Sequence, residues 1–358
     1  MMKISVFKNI DGKYSMDRYA TELAEYLAKE VDVSIVSMNR RGGILGKILD
    51  KWVMYIFHAR RHQGDWNIIV DEGYSHLLLG LDPWKTSVVC HDVNPLIYDK
   101  TPLMQVIVYK LKLRLMARAR HIIATSQYTK SKILEKCPYI KPDKVKVVYN
   151  GISKQFRVIE DDVILDDFRT RYNLKGRKVI LHVGKDSWYK NFSSLIRAFN
   201  LLSEENTFLV KIGNITNDES GLIDEFNLRN NMLNIKEIPL KDHEDLVKFY
   251  NIADVFVFPS LNEGFGWPPL EAMACGCPVV SSNWSSLPEV CGDACLYVDP
   301  MNPTDIAEKI NMVFDDDKLR RGLTKKGLIN AKRFTWGETV KEVINLMETS
   351  PHISDTKK

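Results

Sequence analysis

The chain has 358 residues, and at the roughly 150 residues that one domain usually takes, two domains are expected. Its 45% hydrophobic and 27% charged content and its 14 prolines exclude a disordered, a collagen-like or a disulfide-dense chain. The net charge of +4 conceals a division: residues 1–150 hold 24 Lys and Arg against 15 Asp and Glu, a net of +9, while residues 151–358 hold 26 against 31, a net of −5. The first half is therefore suited to an anionic partner.

In chain order, short β-branched runs, each followed by a helical pattern, are read at Lys3–Phe7, Val33–Ser37, Asn67–Val70, Thr86–His91, His121–Thr125 and Lys144–Val148. The second half continues with Lys178–Val183, Thr207–Ile212, Leu233–Ile238, Val255–Pro259, Pro278–Ser282 and Ala294–Val298. Near-continuous apolar strands alternating with helices imply parallel sheets buried on both faces. The fold class is α/β, with two doubly wound, Rossmann-like domains facing an interdomain cleft, where the carboxyl ends of the strands would bind ligands. The expected bounds are 1–152 for the first domain, 153–177 for a linker with a short entry helix, and 178–335 for the second domain. Residues 336–358 form a C-terminal helix and tail that packs back toward the first domain.

The six cysteines are scattered through apolar runs, which fits small core residues in a reducing compartment. Cys275-Gly-Cys277 and Cys291-x3-Cys295 lack a nearby His and the usual zinc spacing. The acidic runs at Asp161-Asp162 and Asp315-Asp316-Asp317 are read as solvated loops, so no metal is expected. The N-terminal apolar stretch is too short for a signal peptide, and no run approaches the ~18–20 apolar residues of a bilayer span. A cytoplasmic location follows, with a peripheral place on the membrane left open.

Four loops carry candidate chemistry. After the first strand, Asn9–Met16 holds a single glycine, Gly12, ahead of Tyr14 and Ser15. After the fourth, His91-Asp92 precedes Val93-Asn94-Pro95; a lone His at a strand end is most simply structural. Gly184-Lys185-Asp186-Ser187-Trp188-Tyr189-Lys190 follows a strand and precedes a helix, placing two lysines where they can neutralise a diphosphate. Finally, a strand ending at Pro259 leads into Glu263-Gly264-Phe265-Gly266-Trp267-Pro268-Pro269-Leu270-Glu271. There, glycines allow close approach to the backbone, a helix start suits anions or hydroxyls, and two carboxylates can accept sugar hydroxyls.

Residues Ile44–Arg61 fit a helix whose core arc would be Ile44, Leu45, Ile48, Leu49, Trp52, Tyr55, Ile56 and Ala59, with Lys47, Lys51, His58 and Arg61 opposite and Val53, Met54 and Phe57 outside the core arc. Lys110, Lys112, Arg114, Arg118 and Arg120 add a second basic stretch. Two readings stand: a core-packed helix with a solvated basic face, or a surface lying on anionic lipid. Nucleic acid is not expected, since Trp52, Tyr55 and Phe57 make no stacking platform.

The segment EGFGWPPLEAMACGCPVVSSNWSSLPEVCGDA, with Glu263 and Glu271, resembles the signature of glycosyltransferase family 4, retaining enzymes of the GT-B fold, and HVGKDSWYKNFSSLIRAF, YNIADVFVFPS, ATSQYTKSKIL and VVYNGIS extend the likeness. It covers most of the chain, thinly before residue 85. The resemblance implies that Glu271 holds the ribose hydroxyls of a nucleotide sugar. Glu263 and the backbone of Gly264, Phe265 and Gly266 would hold the transferred hexose. Lys190 and Lys185 would meet the diphosphate, with Gly184 in the same loop, and Gly213 and Ile238 would pass the base. Ser282 and Asn283 would lie beside the site. His91 would face the hexose, making His91, Lys190 and Glu263 the catalytic set. Gly12, Tyr14, Ser15 and Asp92 would lie on the acceptor side, although relatives usually carry a Gly-Gly pair where this chain has Gly12 alone.

The implied activity is transfer of a mannose- or glucose-type hexose from a GDP- or UDP-linked donor to a hydroxyl of a glycan or lipid-linked glycan, without a metal and by front-face substitution. Trp267 and Pro268-Pro269 resemble mannosyl-transferring members of the family. A sugar-nucleotide epimerase or hydrolase on the same scaffold, or a catalytically idle scaffold protein, are the rivals.

Overall fold

A computed structural model describes residues 2–10, 14–38, 43–98, 101–202, 206–236 and 243–349. The chain divides into two compact units, one of residues 1–151 with 335–358, the other of residues 152–334. The stretch expected as a linker thus belongs to the second unit. Its helix Asp162–Arg171 is capped by the Asp161 carboxylate, which accepts from the amides of Val163 and Ile164.

In the first unit, strands β1 (Lys3–Phe7), β2 (Asp32–Val36), β3 (Trp66–Ile69), β4 (Thr86–Cys90), β5 (His121–Ala124) and β6 (Val145–Val147) form one parallel sheet in the order β2-β1-β3-β4-β5-β6. In the second, β7 (Lys178–Val183), β8 (Thr207–Ile212), β9 (Met232–Ile235), β10 (Val255–Phe258), β11 (Val279–Ser282) and β12 (Leu296–Val298) form another, in the order β12-β11-β10-β7-β8-β9. The central strands are buried along their whole length, because helices cover both faces and leave no position for a solvated side chain. All twelve apolar runs are strands, several one or two residues shorter than their apolar patches. In each sheet the order reverses once, between β1 and β3 and between β7 and β10, and beyond the carboxyl ends of such strands an open α/β sheet leaves a crevice.

The helix Trp336–Glu348 lies in the first unit. Trp336 is buried with its ring 5.3 Å from that of Tyr19, and the Thr339 hydroxyl donates to the Tyr149 carbonyl at 2.8 Å. The six cysteines are buried, free thiols.

One expected face is corrected. The segment from Ile44 is helical to Arg61, but Asp50–Met54 forms a π turn in which the Tyr55 amide reaches back to the Asp50 carbonyl. The extra residue in that turn swings the preceding turns by about 100° relative to the following ones. Tyr55 and Ala59 are buried as expected, whereas Leu45, Ile48, Leu49 and Trp52 are exposed along with Val53 and Phe57.

A Cβ added to Gly151 would fall 2.3 Å from the Trp336 backbone nitrogen. Gly151→Ala should therefore push the C-terminal helix off the first unit and cost about 1–3 kcal/mol of that unit's stability in denaturant unfolding, the scale of overpacking.

Candidate functional site

In the second unit the switch point between β7 and β10 joins the two loops that the sequence singles out. The amide of Leu261 donates to the Tyr189 carbonyl at 2.7 Å, and the Ser260 hydroxyl oxygen lies 3.0 Å from the same carbonyl. The side chain of Asn191, whose backbone is left-handed at φ 56°, donates to the carbonyls of Pro259 and Pro300 at 3.0 and 2.7 Å. Across this junction Lys190 Nζ lies 2.7 Å from Glu263 Oε1, which also accepts from the Ser260 hydroxyl at 2.7 Å. These two side chains are only 15% and 11% exposed, so their charges act on each other through little water. Lys185, five residues earlier, is exposed.

The backbone of the Glu263 loop is fixed from a third strand. The Glu263 amide donates to Ser285 Oγ at 3.0 Å, and the Ser286 hydroxyl donates to the carbonyls of Glu263 and Phe265 at 2.9 and 2.8 Å. Gly266, at φ 104°, turns the chain into helix Trp267–Ala274. Pro268 and Pro269 stand in that first turn and remove two of the four amide donors that a helix start leaves open. On the same helix Glu271 is buried, with one carboxylate oxygen accepting from the Tyr250 hydroxyl at 3.0 Å.

Beneath the loops lies a pair that sequence reasoning missed. His182 and Lys211 are register partners at the penultimate positions of β7 and β8, and both are buried. Lys211 Nζ donates to the Gly184 carbonyl at 2.6 Å. Burial, with Lys190 nearby, pulls the Lys211 ammonium down to about 8, a cost that Glu219 partly offsets. Burial and the charges of Lys211 and Lys190 hold the His182 imidazole neutral. Gly213 presses on the same carbonyl: a Cβ there would sit 1.9 Å from the Gly184 oxygen, at a φ of 109°. Thus Gly184 and Gly213 meet at the ends of β7 and β8, and only glycine fits the latter. Ser282 ends β11 and Asn283 follows it, close in sequence to Ser285.

The first unit builds a second cluster at its own switch point. The Asn9 amide beyond β1 donates to Asp71 beyond β3, and the Asp71 carboxylate also caps the turn that begins at Glu72. Beyond β4, the His91 amide donates to Glu72 Oε2 at 3.1 Å, its ring Nε2 bonds the Val70 carbonyl at 2.8 Å, and its ring stands edge-on to Tyr19 at 4.9 Å. Asp92 accepts from the Asn94 amide at 2.9 Å, and the Tyr109 hydroxyl bridges the Asp92 carbonyl at 2.9 Å and Glu72 Oε1 at 3.2 Å. Burial, followed by the charges of Asp71 and Asp92, raises the Glu72 carboxyl well above its ordinary range. Ser15 stands in helix Tyr14–Leu27; Gly12, Ile238 and the side chain of Tyr14 fall outside the described residues.

Comparison with known proteins follows the same division. A model described as "Glycosyltransferase Family 4" matches residues 16–156, and one described as "Glycosyl transferases group 1" matches residues 166–329. The chain belongs to glycosyltransferase family 4. Among curated relatives, the serotype-specific mannosyltransferase WbdA of Escherichia coli is 32% identical over 269 residues, 72% of this chain and 32% of that protein. O-antigen chain mannosyltransferase B of Escherichia coli is 37% identical over 180 residues, 49% of this chain and 47% of that one. The chain thus spans from about a third to about half of the length of these relatives. Among solved structures, Anabaena HepE in complex with UDP and glucose superposes with a TM-score of 0.79 at 16% identity, covering 98% of this chain and all of that one. WaaG, a glycosyltransferase involved in lipopolysaccharide biosynthesis, gives 0.76 at 14%, covering 97% and 100%. The fold is GT-B.

Within this family 4 chain, the structure brings Gly184, Lys190, Gly213 and the Glu263–Gly266 loop together at the strand ends of one sheet, and it adds Ser260, Ser285, Ser286, His182, Lys211 and Tyr250. In the other unit it gathers His91 and Asp92 with Asn9, Asp71, Glu72 and Tyr109. Most of the missed residues carry one signal, polar side chains at or shortly past the end of an apolar strand, as in KVILHV, TFLVKI and WNIIVDE, whereas Tyr109 and Tyr250 stand in helices and carry none.

Because the Glu72 carboxyl is raised in the folded state, its contribution to stability is full below the ordinary carboxyl range and is lost as pH climbs through the raised value. Glu72→Gln should therefore gain stability over the native chain at pH 8 relative to pH 5 in urea unfolding. A difference independent of pH would show an ordinary, ionised carboxylate.

Proposed function

We propose that the chain is a retaining hexosyltransferase that takes mannose from a nucleotide diphosphate donor, GDP-mannose in the first instance, and delivers it to a hydroxyl of a glycan or lipid-linked glycan. The observation that carries this reading is the Lys190–Glu263 pair at the β7/β10 switch point, with buried Glu271 on the following helix and a second lysine, Lys211, beneath. Glu271 is assigned to the ribose hydroxyls, and the Glu263 loop with Gly264 and Gly266 to the hexose. Lys190 is assigned to the diphosphate, with Lys185 at the edge. The names of the relatives, a serotype-specific mannosyltransferase and an O-antigen chain mannosyltransferase, favour mannose over glucose. The first unit's cluster around His91 and Asp92 is assigned to the hexose and acceptor hydroxyls, with Ser15 and the Gly12 loop on the acceptor side.

In this mechanism the acceptor oxygen bonds to the anomeric carbon on the face from which the diphosphate departs. The bond from that carbon to the phosphate oxygen breaks, and the acceptor proton passes to the leaving oxygen. No protein carboxylate is required as a covalent nucleophile. Negative charge grows on the diphosphate, and fixed cations in a poorly solvated site stabilise it without reorganising. Lys190 supplies that charge, and the positive excess left by Lys211 favours a polyanion, so a bound metal is not part of the proposal. Glu263 stays paired with Lys190 and is assigned as the acceptor for a hexose hydroxyl.

Removal of one preorganised stabiliser of developing charge costs about 100- to 1000-fold in turnover. Lys190→Ala should lose at least ~100-fold in mannose transfer from GDP-mannose while remaining folded. Unaltered transfer in that variant would remove Lys190 from the reaction.

A further inference from the structure

We propose that the first unit carries a docking surface for an anionic lipid bilayer, built from two helical segments that expose apolar side chains among basic ones. The π turn at Asp50–Met54 leaves Leu45 83%, Ile48 52% and Phe57 58% exposed, beside Leu49, Trp52 and Val53. Helix Leu103–Met116 buries Tyr109, Leu113 and Met116 on one side and exposes Leu103, Met104, Ile107 and Leu111 on the other, with Leu103 75% exposed. The segments meet where Lys112 Nζ lies 5.2 Å from the Trp52 ring, whose other neighbour is His76 at 4.6 Å.

A soluble face does not ordinarily gather so many large apolar side chains. The charge on this one selects the partner. Lys47, Arg60, Arg61, Lys110 and Arg114 are exposed around the apolar residues. The sole acid of the first segment, Asp50, is buried, and residues 101–120 contain no Asp or Glu at all. Apolar side chains of this reach enter the boundary between headgroups and acyl chains, while lysine and arginine stay with lipid phosphates. Among the described residues no helix is long and apolar enough to cross a membrane, so the surface lies on the bilayer and does not traverse it.

The full chain is mixed with vesicles of phosphatidylglycerol and phosphatidylethanolamine, or of phosphatidylcholine alone, and the bound fraction is read by flotation. The native chain should bind the anionic vesicles, less so as salt rises, and bind phosphatidylcholine weakly. Leu45→Ser with Leu103→Ser, and separately Lys47→Glu with Lys110→Glu, should each lower binding to anionic vesicles by at least ~10-fold. Both pairs lie on exposed positions outside the strand-end clusters, so thermal unfolding and calorimetric donor binding should match the native chain, which keeps a failure here distinct from a failure of the transferase reading. No binding to anionic vesicles, equal binding to both compositions, or binding unchanged in both variants would overturn the proposal. So would sedimentation velocity showing that the native chain self-associates and that Leu45→Ser with Leu103→Ser abolishes it, since the face would then belong to a second copy.

Discussion

The arrangement in the second unit depends on one ion pair, Lys190 with Glu263, held where the strand order reverses between β7 and β10. A pair this poorly solvated gains little net stability, because the loss of hydration nearly cancels the attraction. Its geometry is nevertheless fixed from every side: by Asn191 and Leu261 joining the two loops, by Ser260 on the carboxylate, and by Ser285 and Ser286 on the backbone behind it. A site so supported holds its charged groups in place before a ligand arrives, which is the condition under which electrostatic stabilisation is effective. Lys211 adds a second cation below the pair, its pKa lowered by burial and by Lys190 and partly restored by Glu219.

The first unit treats charge in the opposite way. Around His91 the surplus is acidic, with Asp71, Glu72 and Asp92 gathered at the ends of β3 and β4, and burial together with these neighbouring charges raises the Glu72 carboxyl well above its ordinary range. The His91 amide and the Tyr109 hydroxyl rest on that one carboxyl group. The position of the His91-Asp92 loop is therefore tied to a buried side chain that itself need not touch any ligand.

Much of the fold was legible because strands covered on both faces must be apolar throughout, so the twelve runs stood out against helical patterns whose period is nearly twice as long. The loops carrying Lys190 and Glu263, the latter leading into the helix of Glu271, were legible for a related reason: each lies directly after a strand, where glycines and prolines punctuate the chain. The support beneath them was not. His182 and Lys211 come together only once β7 and β8 pair in register, and Asn9 reaches Asp71 only because β1 and β3 are neighbours although β2 intervenes in sequence. The helix from Ile44 failed for a local cause, since a constant 100° per residue cannot anticipate a π turn, and an arc drawn through Leu45 and Tyr55 joins residues that face different ways.

The account's central claim is that the strand ends of the second unit bind a nucleotide sugar, with Glu271 on the ribose. Isothermal calorimetry of GDP-mannose with the native chain and with Glu271→Gln tests it directly. The account predicts measurable binding to the native chain and a dissociation constant about 10- to 100-fold higher in the variant, the cost of losing a charged hydrogen-bond acceptor for ligand hydroxyls. Equal affinity in the two proteins would contradict it.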